Sequence, residues 1–399
     1  MWWLILPVAV YSAGLLILWR ILARRREAVV PDNAYAATVS VVVAARNEEN
    51  HIANLLGRLV RQDYPDEFLE IIVVNDNSTD RTPILVSEFI DSLRNKPGPR
   101  MRLIYNPFSG KKRAVRYGIE KAAGNIILTT DADCVVGPGW VRSHASWYRA
   151  RPTGRVKTDG DSPAGTTPAD DNQLTDAATV PDADIVLASV YHEAAGGFWP
   201  QFGVFEFSAL QAITEATAVA GFPVMCNAAN MSFRREVYLR YSGELREDLP
   251  SGDDMFLLEA VMRGGGAAMH DGRSTAAVET AGAVTAAALL RQRARWASKA
   301  LHLRGAPVIT LATATAACNA AVTAAAVASC FSAAYLPVVA AMYGIKAIPD
   351  FLLISREMKK RGNRIRVMQF IGSGLLYPFY FLVVWVMSRF PSSRKFRGK

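Results

Sequence analysis

The hydrophobic pattern divides the chain into an apolar start, a long alternating middle and an apolar end. Residues 1–22 form an almost unbroken apolar run with Trp2, Trp3 and Trp19 near its ends. Crossing about 30 Å of hydrocarbon takes roughly 20 such residues in a helix. Residues 306–387 are apolar and alanine-rich, and their length predicts three more spans, near 308–327, 331–354 and 367–387, with the basic stretch 355–366 as a loop. Between these ends, short β-branched runs alternate with helical spacing. Residues 38–44 predict a first strand, and Ile52, Leu55, Leu56, Leu59 and Val60 recur with the period of a helix. Strands follow at 70–74 and 102–105, with a helix at 83–93 between them. Gly110, Lys111 and Lys112 then open a helix leading to the run Ile126, Ile127, Leu128, Thr129, Thr130. Strands covered on both faces read as continuous apolar runs, and strand–helix alternation predicts a doubly wound α/β sheet.

The pattern breaks at 151–180, where Gly, Pro, Thr, Asp and Ala leave almost nothing to bury, and a flexible insertion is expected. A strand at 181–190 and an apolar helix at 203–214 resume it. Ser251 to Asp254 start a further helix, and a basic amphipathic segment at 289–299 precedes the apolar end. The resulting map is an N-terminal transmembrane anchor at 1–26, a soluble-type domain at 38–300 and a C-terminal transmembrane region at 306–390.

Composition sharpens this map. The 399 residues are 51% hydrophobic and carry a formal charge of +9, which alone would suit a nucleic-acid partner. Much of the basic excess flanks apolar segments, in Arg20, Arg24 to Arg26, Arg356 to Arg366 and Arg394 to Lys399, where it faces anionic membrane lipid instead. Arg24 to Arg26 follow the first apolar run rather than precede it, unlike a cleavable signal peptide, and the positive-inside rule puts the middle domain in the cytoplasm. Three spans after that domain would put the basic tail outside, against the same rule. Either one segment is re-entrant or interfacial, or the tail is an exception. The four cysteines have no paired short spacing, so neither a zinc site nor a disulfide framework is expected.

The candidate chemistry sits where strands end. Asp131 and Asp133 follow the 126–130 run, and ligands of open α/β sheets bind at the carboxyl ends of the strands. Hard oxygen ligands so spaced suit Mg²⁺ or Mn²⁺ carrying a phosphate, although an isolated Asp-x-Asp equally suits a turn or helix cap. Strand 1 ends in Ala45, Arg46, Asn47, Glu48, Glu49, and strand 2 in Asn75, Asp76, Asn77, Ser78, Thr79, Asp80.

Taken in order, AARNEE, VNDNSTD, the Gly-Lys-Lys turn and TTDADC resemble the inverting family 2 glycosyltransferases of the GT-A fold. That resemblance implies a UDP-sugar donor and a divalent cation, Mg²⁺ or Mn²⁺. Ala45, Glu48 and Asp76 would line the nucleotide, and Lys111 or Lys112 would approach the diphosphate. Asp131 would lie near ribose and metal, and Asp133 would be the principal metal ligand. Where the family's second turn has two aspartates and a glycine, this chain has Asn75 and Asn77; Asn tolerates left-handed geometry. Asp254 matches the family's catalytic base, with Asp253 as the nearby alternative; either also suits a helix cap. Gln292, Arg295 and Trp296 stand in the spacing Q-x-x-R-W, which resembles the signature of cellulose, chitin and hyaluronan synthases. There the Trp would line the acceptor site and the Arg meet the diphosphate. The alternative for this segment is a basic helix lying on the membrane surface.

The expectation is therefore an integral protein of the cell membrane, with a cytoplasmic, Rossmann-like GT-A domain between transmembrane helices. It would transfer a sugar from a UDP-sugar to a glycan or lipid-linked acceptor. Polysaccharide synthesis, with an export partner, stands beside transfer of a single sugar to a lipid carrier. A nucleotidyltransferase and an inactive membrane scaffold are the alternatives from other classes.

Overall fold

The computed structural model describes residues 2–25, 37–148, 182–193, 196–246, 249, 252–300 and 302–390. The insertion expected at 151–180 and the basic tail lie outside the described residues.

The first half alternates as its pattern predicts. β1 (Val39–Ala45), β2 (Leu69–Asn75), β3 (Arg100–Tyr105) and β4 (Ile126–Asp131) are joined by α2 (Ile52–Leu59), α3 (Thr82–Ser92) and α4 (Lys111–Lys121), after an N-terminal α1 (Ile5–Arg24). Then come β5 (Val135–Val136), α5 (Trp140–Ala145), β6 (Ile185–Ala188), β7 (Val190–Glu193), α6 (Phe198–Val219), β8 (Met231–Arg234) and α7 (Arg235–Tyr241). The chain continues with α8 (Asp253–Arg263), β9 (Ala268–Asp271), β10 (Val278–Ala281), α9 (Ala286–Ala300), α10 (Ala306–Ser329), α11 (Leu336–Lys360) and α12 (Val367–Met387).

Seven strands form one sheet in the order β3-β2-β1-β4-β8-β6-β9, and β5, β10 and β7 form a small second sheet. β1 and β2 are buried along most of their length because helices cover both faces. Val41 and Val43 face a core shared with α2 and α5, while Val42 faces one shared with α4 and α8. On α4, Gly118 lets helix and sheet touch, since a Cβ there would sit 2.6 Å from Val42 Cγ1. β3 is one edge strand of this sheet, and its Arg100 and Arg102 reach back to Glu70. The sheet is not parallel throughout: β8 runs antiparallel to both β4 and β6. Its chain reaches the sheet from the long α6 through a short 3-10 turn, Ala228–Asn230.

Among the described residues, four helices are long and apolar enough to cross a membrane: Trp2–Arg24, Ala306–Ser329, Ala333–Lys360 and Val367–Met387. α6 is the seam between them and the sheet. Its Ala212 and Ala216 pack with Val8 and Leu15 of α1 and Met342 of α11, while its Phe207 joins the sheet core. The basic loop expected at 355–366 begins later than its composition suggests, because α11 continues to Lys360. Buried Glu215 of α6 explains the extension. It accepts from Arg25 Nη1 at 2.5 Å and Arg356 Nη1 at 2.8 Å and pairs with Lys360, so these cations are structural partners and not a solvated loop. Burial opposes the Glu215 charge, but Arg356, Lys360 and the cations around them hold its carboxyl far below the usual range.

Candidate active site

Strand register gathers the first group of predicted residues. Ala45 pairs with Asn75 across β1 and β2, and Ala44 with Asp131 across β1 and β4, so the ends of all three strands share one edge. Asp76, just past β2, is buried, and its Oδ1 accepts from Asn106 Nδ2 at 2.8 Å and Gly110 N at 2.9 Å. That carboxylate ties the β2 and β3 turns to the start of α4. The two asparagine turns take left-handed backbone, with φ of 55° at Asn47 and 57° at Asn77. They also interlock. Asn47 Oδ1 accepts from Thr79 N at 2.8 Å, and Glu48 N donates to Thr82 Oγ1 at 2.8 Å. The Glu48 carboxylate meets His51 Nδ1 at 3.0 Å.

The two lysines opening α4 diverge. Lys111 Nζ lies 2.6 Å from Asp131 Oδ1. Loss of water works against its charge, but Asp131, with Asp253 and Asp133 beyond it, raises the ammonium above the usual lysine range. Lys112 turns away: its Nζ donates to the backbone carbonyls of Leu245 and Arg246 and lies 5.6 Å over the Phe256 ring. It anchors the segment leading into α8.

That segment delivers the second carboxylate pair. Gly252 takes φ of 106° and starts α8 with Asp253 and Asp254 in the first turn. Asp254 Oδ2 accepts from Ala228 N at 3.1 Å and its Oδ1 from Met255 N at 2.8 Å, which fixes the carboxylate against the turn before β8. Burial and the neighbouring Asp254 charge raise Asp253, against the pull of Lys111, Lys112 and Lys299. Lys111, Asp131, Asp253 and Asp254 line one cavity of about 20 Å³ together with Thr130 and Tyr238. Carboxylates from two distant stretches of chain thus share a space with a lysine between them.

α9 splits the Q-x-x-R-W motif. Arg295 is close enough to feel Asp131: burial lowers its pKa and the charge of Asp131 opposes that. Trp296 packs instead under the neighbouring Arg293 guanidinium, 4.1 Å from its ring centroid, and beside Phe207 at 5.8 Å. Gln292 Oε1 accepts from Arg293 Nη1 at 2.8 Å. Arg293 in turn donates Nε to Glu206 Oε2 at 2.8 Å. Sequence reasoning passed over Arg293 and Lys299. For Lys299 the signal was present, since it follows Arg295 by four residues and so shares its helix face.

Among the described residues no group of three or more His, Cys, Asp or Glu gathers as a metal cage. The donor set still fits a divalent cation that arrives with a nucleotide, because Mg²⁺ is commonly held by one or two carboxylates plus substrate phosphates. Asp131 and Asp133 are the residues that could supply such a pair, and Lys111 beside Asp131 marks the spot as one that attracts a cation.

An α/β sheet with acidic and basic groups at the carboxyl ends of β1, β2 and β4 is a nucleotide-binding architecture. Residues 40–238 match the family model Glycosyl transferase family 2, and this part of the chain is a glycosyltransferase family 2 domain. Over 101 residues the chain is 41% identical to a probable glycosyltransferase, YdaM, of Bacillus subtilis, covering 24% of this chain and 22% of that protein. Over 118 residues it is 33% identical to a beta-monoglucosyldiacylglycerol synthase of Synechocystis, covering 29% of this chain and 23% of that one. The matched stretch thus spans less than a quarter of either relative's length. The structure of a mannosyltransferase from Pyrobaculum calidifontis in complex with GDP-Man and Mn²⁺ shares the fold, with TM-score 0.58, 19% identity and coverage of 96% of this chain and 98% of that one.

Proposed function

We propose that this chain is a membrane-anchored inverting glycosyltransferase that moves a sugar from a UDP-sugar to a glycan or lipid-linked acceptor. The observation that carries the reading is the convergence of Lys111 from the start of α4 and Asp131 from the end of β4 with Asp253 and Asp254 from the start of α8. The first pair suits a diphosphate and the second suits a proton acceptor. In this reading the 38–300 domain works on the cytoplasmic side of four spanning helices. Among the relatives, one name specifies a diacylglycerol product and another, of Staphylococcus aureus, a poly(ribitol-phosphate) acceptor, so lipid and glycan acceptors both occur in proteins that share this sequence region.

The mechanism is a direct displacement. Ala45, Glu48 and Asp76 hold the nucleoside end, with Asp76 fixing the turn that Gly110 opens. Asp131 and Asp133 would hold Mg²⁺ or Mn²⁺, which when bound would supply positive charge to the leaving diphosphate. Lys111 and Arg295 add fixed positive charge where negative charge develops on the leaving oxygen. Asp254 takes the proton of the acceptor hydroxyl as its oxygen bonds to the anomeric carbon. Two backbone N–H groups hold that carboxylate in place, so it is oriented before substrate arrives. Asp253, beside it, is the alternative base.

The test is a panel of UDP-sugars incubated with purified protein and Mn²⁺ in detergent, reading free UDP and product mass. Release of UDP with a product heavier by one or more sugars supports the reading. Release of a sugar 1-phosphate, with UMP carried to the acceptor, would assign the site to nucleotidyl transfer instead.

A further inference from the structure

A cavity of about 730 Å³ lies between the apolar helices and the sheet domain, well within the volume range of small-molecule sites. Its walls come from α6, α10, α11 and α12, three of which are long and apolar enough to cross a membrane. Val224, Met225 and Met255 line it as well. Met255 directly follows Asp254, and Ala297 of α9 directly follows Trp296. The cavity thus abuts the first turn of α8, which carries Asp254 toward the smaller space it shares with Lys111 and Asp131.

Its chemistry narrows the occupant. The lining is overwhelmingly aliphatic and aromatic, and such a surface gains by covering apolar chains rather than hydrated sugars. The ionisable groups on it are already matched. Glu206 accepts from Arg293 Nε at 2.8 Å, and Lys346 pairs with Asp350, which also accepts from Tyr11 OH at 2.9 Å. A phosphate entering this space would meet no lining cation without a carboxylate partner.

We propose that this cavity holds the aliphatic chains of a neutral glycerolipid acceptor, whose free hydroxyl reaches Asp254; the proposal rests on the glycosyl-transfer reading above. The hydroxyl oxygen bonds to the anomeric carbon as the bond from that carbon to the diphosphate oxygen breaks. The electron pair of the broken bond leaves with UDP, and the hydroxyl proton passes to Asp254. A neutral hydroxyl needs that base, whereas a phosphate acceptor is already ionised at neutral pH. Apolar walls, matched charges and a base one residue from the lining residue Met255 thus point to the same class of acceptor.

Two glycines give a clean perturbation. Gly344 and Gly374 both line the cavity, and a Cβ at either meets nothing within 4 Å. Gly344→Leu and Gly374→Phe therefore extend into open space, and a side chain in place of glycine favours the helix. The experiment gives wild type and both variants a panel of UDP-sugars with Mn²⁺ and one of three acceptors: diacylglycerol in mixed micelles, a polyprenyl phosphate, or a soluble oligosaccharide. UDP release and product mass report transfer, calorimetry reports UDP affinity, and a melting curve reports folding. The expected result is transfer to diacylglycerol that falls at least tenfold in each variant, with UDP affinity within twofold of wild type and no drop in melting temperature. Preference for polyprenyl phosphate or soluble oligosaccharide overturns the proposal, as does wild-type transfer to diacylglycerol by well-folded variants. UDP bound but never released with any acceptor would overturn the transfer reading itself, and this inference with it.

Discussion

Replacing Asp254 by Asn separates its two roles by magnitude. As a structural group, Asp254 accepts from Ala228 N at 3.1 Å through one oxygen and from Met255 N at 2.8 Å through the other. Asn keeps one carbonyl acceptor and gives up the second, a loss of about 1 kcal/mol in stability. As a general base it contributes about 10²- to 10⁴-fold in rate, or roughly 3–5.5 kcal/mol of barrier at 1.36 kcal/mol per tenfold. Asp254→Asn should therefore fold, bind UDP nearly as wild type and lose at least a hundredfold in kcat at saturating donor. Asp253 makes the prediction sharper. Burial and the Asp254 charge both raise its pKa, so removing that charge lowers it. Residual transfer carried by Asp253 should then be lost as pH falls through its pKa, because the base acts only when ionised. The assay is the pH profile of UDP release for wild type, Asp254→Asn and Asp253→Asn. A kcat for Asp254→Asn above a third of wild type refutes the assignment, and a larger loss in Asp253→Asn transfers the role to Asp253.

Other perturbations read out different parts of the account. Lys111→Met should weaken UDP affinity at least tenfold, whereas Lys112→Met should leave it within twofold and cost about 1–3 kcal/mol in stability by stranding the carbonyls of Leu245 and Arg246; the reverse pattern contradicts the divergence of the two side chains. Gly118→Val forces a side chain where a Cβ already meets Val42 Cγ1 at 2.6 Å, so the denaturant midpoint should fall by the equivalent of about 1–3 kcal/mol, and an unchanged midpoint contradicts the close helix–sheet contact. Burial lowers His144 and His270 to about 4, so both are neutral in the fold. Their contribution is fully present above the unfolded value of about 6.5 and is lost as pH falls from there to about 4, because the unfolded chain then binds more protons. His144→Gln should flatten the fall in melting temperature across that window, and an equally steep fall in the variant excludes His144 as its source.

How much of this was legible in the sequence depended on what fixed each feature. β1, β2 and β4 announced themselves because strands covered on both faces must be continuously apolar, and Val41 to Val43 are fully buried. β8 did not. It is four residues long, and its reversed direction is set by where α6 delivers the chain. The end of α11 was misread for a related reason. Basic composition suggested a solvated loop, but the partner that makes those charges structural, Glu215, lies more than a hundred residues earlier. The site shows the same division. Aspartates at strand ends were visible because strand register carries them to one edge. The divergence of Lys111 from Lys112, and of Arg295 from Trp296, depends on how each helix is rotated against the sheet, which spacing alone does not give.

Product stereochemistry tests the central claim most directly. Wild-type protein with Mn²⁺, an α-linked UDP-sugar and the acceptor it uses should yield UDP and a product whose new bond is β by NMR, because one displacement from the face opposite the diphosphate inverts the anomeric carbon. An α-linked product would contradict direct displacement with Asp254 as base, whatever acceptor carries it.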